Sequence, residues 1–385
     1  MYQRKRVDSI LARFVKRGNS WQYEISYKSK DGKYKKMRKS GFRTKNDAKA
    51  EATEMESQLN KGYNPDKKNI TIYEYYENWI NLYKKGSVSD VTYRRYLDNL
   101  SNIKKYMPFD TLADMTKQKY QEVLNEFSKT NAKATTKRFH THVRAAILDA
   151  LDEKIIFTDF TRNPVIKGEK EGKKKEEKYL NYEDFKCLMR ATESRLDVRY
   201  TSPYLILIGG ATGARYAELL GLTWNDIDFE EQTININKTW LLHQGFGPTK
   251  NESSVRRIDI DDHTVSILKE YKQKQLELLK QMNIKNEHNL VFFNPLNGMI
   301  TSNAVNKTLK KIQKQLSIEP AITFHGLRHT NASVLLYEGI DLLYVSEHLG
   351  HKDISITQEV YSHVLDELKQ KNKPKVSAVL SSIYN

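Results

Sequence analysis

Thirteen residues, Ile166 to Lys178, decide that this chain cannot fold as a single body. They read IKGEKEGKKKEEK: six lysines, four glutamates, two glycines and one apolar side chain. Such a run has almost nothing to bury, so it is expected to be a flexible linker. It divides 385 residues into a first part of about 165 and a second of about 207, each long enough for its own core. Hydrophobic residues make up 38% and charged residues 29% of the chain, the balance of a globular protein with wide hydrated surfaces. The net charge of +16 favours a polyanion as partner, nucleic acid before an anionic membrane. No apolar run approaches the roughly 20 residues that cross a bilayer, and Met1 to Arg6 lead into no apolar signal segment. A single cysteine, Cys187, excludes an internal disulfide. Together these features lead to the expectation of a cytoplasmic protein.

The charge is concentrated at the start. Residues 1–65 hold 17 Lys/Arg against 7 Asp/Glu, which is +10 of the +16. Trp21, Tyr23, Ile25 and Tyr27 alternate with Gln22, Glu24 and Ser26, the pattern of a half-buried strand. Asp31-Gly32 signals a tight hairpin. A second strand then carries Lys33, Lys35, Lys36, Arg38 and Lys39. Asn46 can cap a helix from about Asp47 to Leu59. Gln22, Lys33, Lys35, Lys36 and Arg38 are therefore candidate DNA contacts, on a sheet laid into a groove.

Residues 70–165 repeat apolar side chains at helical spacing, as in Ile72, Tyr76, Trp79, Ile80 and Tyr83. Ser89, Thr116 and either Thr135 or Thr136 stand where helix caps are expected. The tyrosines read as core, and Lys137, Arg138 and Arg144 as possible phosphate contacts. From Tyr179 onward the chain is globular again. A helix should begin at Asn181 or Tyr182, and Tyr204 to Gly210 is a buried apolar segment. Strands are expected near Asp226–Phe229, Thr233–Thr239 and Val255–Ile260, with helices beginning near Thr264, Asn303, His325, Leu342, Ile356 and Lys375.

Five of the ten histidines lie between 325 and 363. His325 and Arg328 are three apart in Phe324-His325-Gly326-Leu327-Arg328-His329-Thr330, and His351 and Tyr361 follow. Arginine grips phosphate oxygens bidentately, histidine moves protons, and tyrosine is a competent nucleophile. The four-residue spacing of His325 and His329 raises a zinc helix, but position 326 is glycine where a zinc protease needs glutamate. Arg328 between the two imidazoles would repel a cation, so no metal site is expected. There is no Walker-type loop and no carboxylate cluster for two-metal chemistry. Phosphoryl transfer here would run on side-chain cations, without a cofactor. Arg215, in a turn after Gly213, can supply one cation and face Glu218. Lys250, at a hairpin tip, can supply another, with Lys238 inside a strand as its rival.

Ala211-Thr212-Gly213-Ala214-Arg215-Tyr216-Ala217-Glu218-Leu219, Thr323-Phe324-His325-Gly326-Leu327-Arg328-His329-Thr330, Leu349-Gly350-His351 and Tyr361 resemble, in order and spacing, the motifs of the tyrosine recombinases. The resemblance implies a multidomain α+β fold. An arm-site DNA-binding domain (1–65) would have a three-stranded sheet plus helix. An all-helical core-site DNA-binding domain (70–165) would follow, then the 166–178 linker. A mainly α catalytic domain with a small antiparallel sheet (179–385) would complete the chain. It also implies roles. Tyr361 would attack the scissile phosphate to leave a 3′-phosphotyrosine, Arg215 and Arg328 would clamp its oxygens, and Lys250 would protonate the leaving 5′-oxygen. His325 would do acid/base work, His351 would hydrogen-bond the phosphate, and Glu218 would support the site. The implied partners are double-stranded DNA at core-type and arm-type attachment sites and three further copies of the chain in a tetramer. A directionality factor and a host DNA-bending protein belong to the same expectation. A type IB topoisomerase and a DNA-binding regulator that has lost catalysis are the alternatives.

Overall fold

The computed structural model describes residues 12–29, 32–63, 65, 69–171, 179–242, 244–296, 298–361, 376 and 380–383. The chain divides into two compact units, Met1–Gly172 and Lys173–Asn385. No helix among the described residues is long and apolar enough to cross a membrane.

The first unit opens with an antiparallel sheet of β1 (Arg13–Arg17), β2 (Ser20–Lys28) and β3 (Tyr34–Phe42), in that order. Tyr23, Ile25 and Tyr27 point to one side, where they form a core with Ala52 and Leu59 of α1 (Lys45–Asn60). The helix is capped by Thr44, whose side chain and Asp47 close a reciprocal capping box, and not by Asn46. Threonine here has a carboxylate three residues on, which satisfies two helix-end donors at once. Asp31 of the expected hairpin signal lies outside the described residues.

Four helices follow: α2 (Ile72–Tyr83), α3 (Asp90–Tyr106), α4 (Lys117–Ser128) and α5 (Lys133–Asp152). Ser89 and Thr116 cap α3 and α4 as the sequence suggests. The last helix starts earlier than expected, at Lys133, and the Thr136 hydroxyl donates back to Ala132 O instead of capping. Tyr75, Tyr76, Trp79 and Tyr120 are core residues. Arg144, a possible phosphate contact by sequence, is held by Asp159 Oδ2 at 2.6 Å and Thr161 Oγ1 at 2.9 Å. The start of the lysine–glutamate segment is not free-running chain either. Ile166 packs on the helical core, and Glu169 N–H donates to Ser128 O at 3.0 Å. A side chain at Gly168 would meet the Lys133 backbone nitrogen at 2.0 Å, so only glycine permits this approach. The rest of the segment, 172–178, lies outside the described residues.

The second unit is organised on α7 (Thr201–Thr212), the helix formed by the apolar stretch around Tyr204–Gly210. All its residues but Ala211 are buried, so its sequence shows no helical stripe. It packs against α6 (Tyr182–Glu193), α10 (Ser302–Gln315) and α11 (Phe324–Tyr337). Gly209 lets it close on the Phe324 ring, which a Cβ would meet at 2.4 Å. Between α8 (Tyr216–Leu220) and α9 (Asp262–Gln281) lie β4 (Ile227–Asp228), β5 (Thr233–Ile236) and β8 (Arg256–Asp259), paired in that order. A separate hairpin of β6 (Thr239–Leu241) and β7 (Gly245–Gly247) interrupts them. The expected strand over Thr233–Thr239 is thus two strands, broken at Asn237 and Lys238. After α11 come α12 (Leu342–Leu349) and α13 (Ile354–Val360). The expected helix from about Lys375 falls mostly outside the described residues.

Candidate active site

The second unit brings the C-terminal end of α7, the loop before β8 and the turns that follow α12 and α13 to one place. α7 ends on Gly213, in the left-handed region at φ +62°. That turn hands the chain to Arg215, the first residue before α8. Arg215 N–H donates to Glu218 Oε2 at 2.9 Å, and Arg215 Nη1 donates to Glu218 Oε1 at 2.6 Å. The same Nη1 reaches Ser254 Oγ at 3.2 Å, and Nη2 reaches Gly350 O at 3.3 Å. Glu218 is 2% exposed. Burial alone would raise its carboxyl, but Arg256 and Arg215 outweigh burial and lower it.

Arg256 is the residue that motif spacing does not single out. It stands on β8, almost fully buried, with Nη2 3.1 Å from Glu218 Oε2. Its Nε donates to His348 O at 2.6 Å and its Nη1 to Ser254 O at 2.9 Å. One guanidinium therefore joins α8, the loop before β8 and the end of α12. The signal in sequence was slight: two arginines, 256 and 257, in a strand where only inward positions matter. Ile258 is buried and Arg257 exposed, which leaves Arg256 facing in.

Arg328 on α11 is 3% exposed. It donates to Gly213 O at 2.9 Å and Leu349 O at 2.5 Å, and so ties the α7 turn to the α12 turn. Burial, then the positive charges of Arg215 and Arg256, press its guanidinium down to about 9. Among the described residues, three guanidinium groups here face the carboxylate of Glu218, which leaves a local surplus of positive charge.

Gly350 ends α12 at φ +67°. A Cβ there would meet Ser253 O at 2.8 Å. The turn presents His351, whose Nδ1 lies 2.7 Å from Thr357 Oγ1. Burial, followed by Arg328 and Arg215, lowers His351 to about 3, so it is neutral at pH 7. Tyr361 ends α13, 1% exposed. Burial pushes its hydroxyl well above the ordinary phenol range, and Arg328 offsets only part of that. Its Oη is 3.0 Å from His329 Nδ1. His329 in turn meets the ring of His325 edge-on, with centroids 4.9 Å apart. His325 is exposed; the protein around it and the charges of Arg328, Arg215 and Lys250 lower its imidazole.

Lys250 is exposed and lies beyond the β6–β7 hairpin, not at its tip. It precedes a short 3-10 turn, Glu252–Ser254. Asn251 Oδ1 accepts from Ser254 Oγ at 2.5 Å, and Ser254 Oγ accepts from Arg215, so the lysine loop is tied to the arginine. Lys238, the rival, is not inside a strand. It is bound to Asp226 Oδ2 at 2.5 Å and Asn237 Oδ1 at 2.9 Å, a buried-carboxylate pairing that commits its charge elsewhere. Arg215, Glu218, His325, Arg328, His351 and Tyr361 thus share one site, with the Lys250 charge within reach of it.

The N-terminal candidates divide. Residues directly opposite in an antiparallel sheet share a face. The register pairs Glu24 with Arg13 and Arg38, Ser26 with Lys36, and Gln22 with Val15 and Ser40. Gln22, Lys36 and Arg38 therefore lie on the face away from α1, together with Arg13, Arg17 and Lys28. Lys35 pairs with Tyr27 and belongs to the helix side; Lys33 precedes the strand. Strict alternation along β3 would have separated them from sequence. Lys36 at 2.8 Å and Arg38 at 2.6 Å both hold Glu24. Those two bonds, Lys36 first, lower the Glu24 carboxyl to about 2.

Residues 178–367 match the phage integrase family, and residues 13–59 match an arm DNA-binding domain. A tyrosine recombinase XerC-like protein of Caldanaerobacter subterraneus subsp. tengcongensis is 28% identical over 92% of this chain and 95% of its own length. The integrase of Staphylococcus phage L54a is 27% identical over 85% and 98%. Among solved structures, the Tn1549 transposon integrase in complex with transposon right end DNA is similar in fold. Its TM-score is 0.64 at 18% identity, over 79% of this chain and 99% of that one. A lambda integrase tetramer bound to a Holliday junction gives 0.53 at 17%, over 91% and 97%.

Proposed function

Because the chain belongs to the phage integrase family of tyrosine site-specific recombinases, we propose that it cuts and rejoins DNA strands through a 3′-phosphotyrosine at Tyr361 and so moves a mobile element. The observation that carries this reading is the cluster of Arg215, Arg256 and Arg328 around the carboxylate of Glu218, beside Tyr361. A scissile phosphate is the anion this surplus of positive charge suits. In the transition state, charge gathers on the non-bridging oxygens; Arg215 and Arg328 stabilise it, with His351 as a neutral hydrogen-bonding partner. Losing one such donor typically costs on the order of 10²–10³ in rate. Lys250, exposed on its loop, delivers a proton to the leaving 5′-oxygen. The tyrosine ester keeps the energy of the phosphodiester, so rejoining needs no nucleotide.

DNA is the partner in this reading. The open face of the N-terminal sheet meets arm-type sites and the four-helix region core-type sites. Four copies work together, as in the lambda integrase tetramer on its junction. The test uses duplexes from both flanks of the protein's own gene. A covalent adduct at a defined position, absent in Tyr361→Phe, is the expected result. Adducts scattered over unrelated DNA would point to a topoisomerase, and none at all to a regulator.

A further inference from the structure

Two imidazoles one helical turn apart compete for acid/base work on Tyr361. The resemblance to the tyrosine recombinases gives that work to His325. The structure puts a different ring on the reacting atom. The Tyr361 hydroxyl lies 3.0 Å from His329 Nδ1, hydrogen-bond distance for a proton transfer. His325 touches the edge of the His329 ring and is exposed, beside Lys250 and the arginines. That position suits the phosphate or the leaving group.

We propose that His329 is a catalytic residue, the base that takes the proton of Tyr361 as its oxygen attacks phosphorus. The assignment rests on the phosphotyrosine reading above. The step balances within the site. The Oη–H bond breaks and its proton goes to Nδ1 of a neutral His329 that carries its own proton on Nε2. The Oη–P bond forms. The P–O5′ bond breaks, and the 5′-oxygen takes a proton from Lys250. Rejoining runs the same transfers backwards, with imidazolium 329 returning the proton to Tyr361. The need for a base follows from the surroundings of Tyr361. A phenol 1% exposed, raised by burial, stays protonated near pH 7 unless an acceptor is in contact with it.

The test is single-turnover adduct formation by the full-length chain on flank duplexes that the wild type cleaves. Two forms of duplex are used, one normal and one with sulfur replacing the bridging 5′-oxygen. A thiolate leaves without a proton, so the sulfur duplex rescues a lost acid but not a lost base. Expected for His329→Ala is a rate lower by about 10²–10⁴ on both duplexes, with imidazole in the buffer restoring at least about tenfold. His329→Gln, which keeps a hydrogen bond but no base, stays slow. Lys250→Ala is slow on the oxygen duplex and fast on the sulfur one. Hydrogen exchange of the α7 and α11 amides of each variant, measured alongside, shows that the second unit is folded. The assignment is overturned by an Ala or Gln variant as fast as wild type, by sulfur rescue of His329→Ala, or by a defect that imidazole leaves untouched. Absence of any wild-type adduct overturns the phosphotyrosine reading and this assignment together; a wild-type adduct with a normal His329 variant overturns this assignment alone.

Discussion

Arg256→Met removes the guanidinium that joins three segments of the site while keeping most of the stem's volume. Three hydrogen bonds go, to Glu218, His348 O and Ser254 O. Breaking a buried ion pair by deleting one partner costs about 3–5 kcal/mol. Glu218 keeps Arg215 and its backbone N–H, so the lower end applies. Each orphaned carbonyl would add about 1–3 kcal/mol if nothing relaxed. Water reaching the loop before β8, and the apolar methionine, offset much of that. The expected cost is about 3 kcal/mol, a large part of the ~5–15 kcal/mol that holds a domain. Hydrogen exchange on the full-length chain reads this locally. Amides of α12 and β8 should exchange roughly a hundredfold faster, since about 1.4 kcal/mol is a factor of ten. Amides of α2 to α5, in the other unit, should not change. Glu218→Gln should speed the same α12 and β8 amides. Acceleration below about fivefold, or equal acceleration in both units, would refute the idea that Arg256 holds these segments together.

Other perturbations have equally definite outcomes. Gly350→Ala forces a left-handed alanine whose Cβ meets Ser253 O at 2.8 Å; urea unfolding should show a loss of about 1–3 kcal/mol, and an unchanged midpoint would contradict the packing. His348 and His351 are lowered, chiefly by burial, to about 4 and about 3, against about 6.5 unfolded. Between those values the unfolded chain binds the extra protons, so this stability is complete above pH ~6.5 and lost as pH falls toward 4. Thermal unfolding of the second unit at pH 7.5 and 5 should show the drop, and His348→Asn should shrink it; a wild-type melting temperature flat over that range would contradict the sign. On the N-terminal sheet, Lys36→Glu and Arg38→Glu should weaken arm-site binding and flatten its salt dependence, by about one unit of slope for each phosphate that is no longer neutralised. Lys35→Glu, on the helix side, should do less; the reverse order would show that the wrong face was assigned.

The sequence announced most elements through local chemistry. Ser89, Thr116 and Asn181 cap because their side chains reach back to the first turn, a signal independent of the rest of the fold. Where tertiary packing decides, local signals fell short. The stretch from Tyr204 to Gly210 is apolar all round, which periodicity cannot assign to helix or strand; its packing against three helices makes it α7. The strand expected over Thr233–Thr239 breaks at Asn237 and Lys238, where both side chains turn to the Asp226 carboxylate, a pairing made across 11 and 12 residues. The resemblance in motif order and spacing pointed to Arg215, Glu218, His325, Arg328, His351 and Tyr361, which the structure brings to one place. It did not find Arg256, whose importance lies in a 38-residue leap to Glu218. Nor did it find the His329–Tyr361 pair, made across 32 residues. Long-range pairings leave no periodic trace.

The proposed bond between Tyr361 and DNA can be read out chemically. The full-length protein is incubated with a flank duplex carrying a nick that prevents religation. The adduct is then digested with protease and nuclease, and the linked peptide is sequenced by mass spectrometry. The expected product is a nucleotide joined through its 3′-phosphate to Tyr361, with a free 5′-hydroxyl on the released strand. An adduct on another residue, a 5′-phosphate linkage, or cleavage with no covalent intermediate would contradict it.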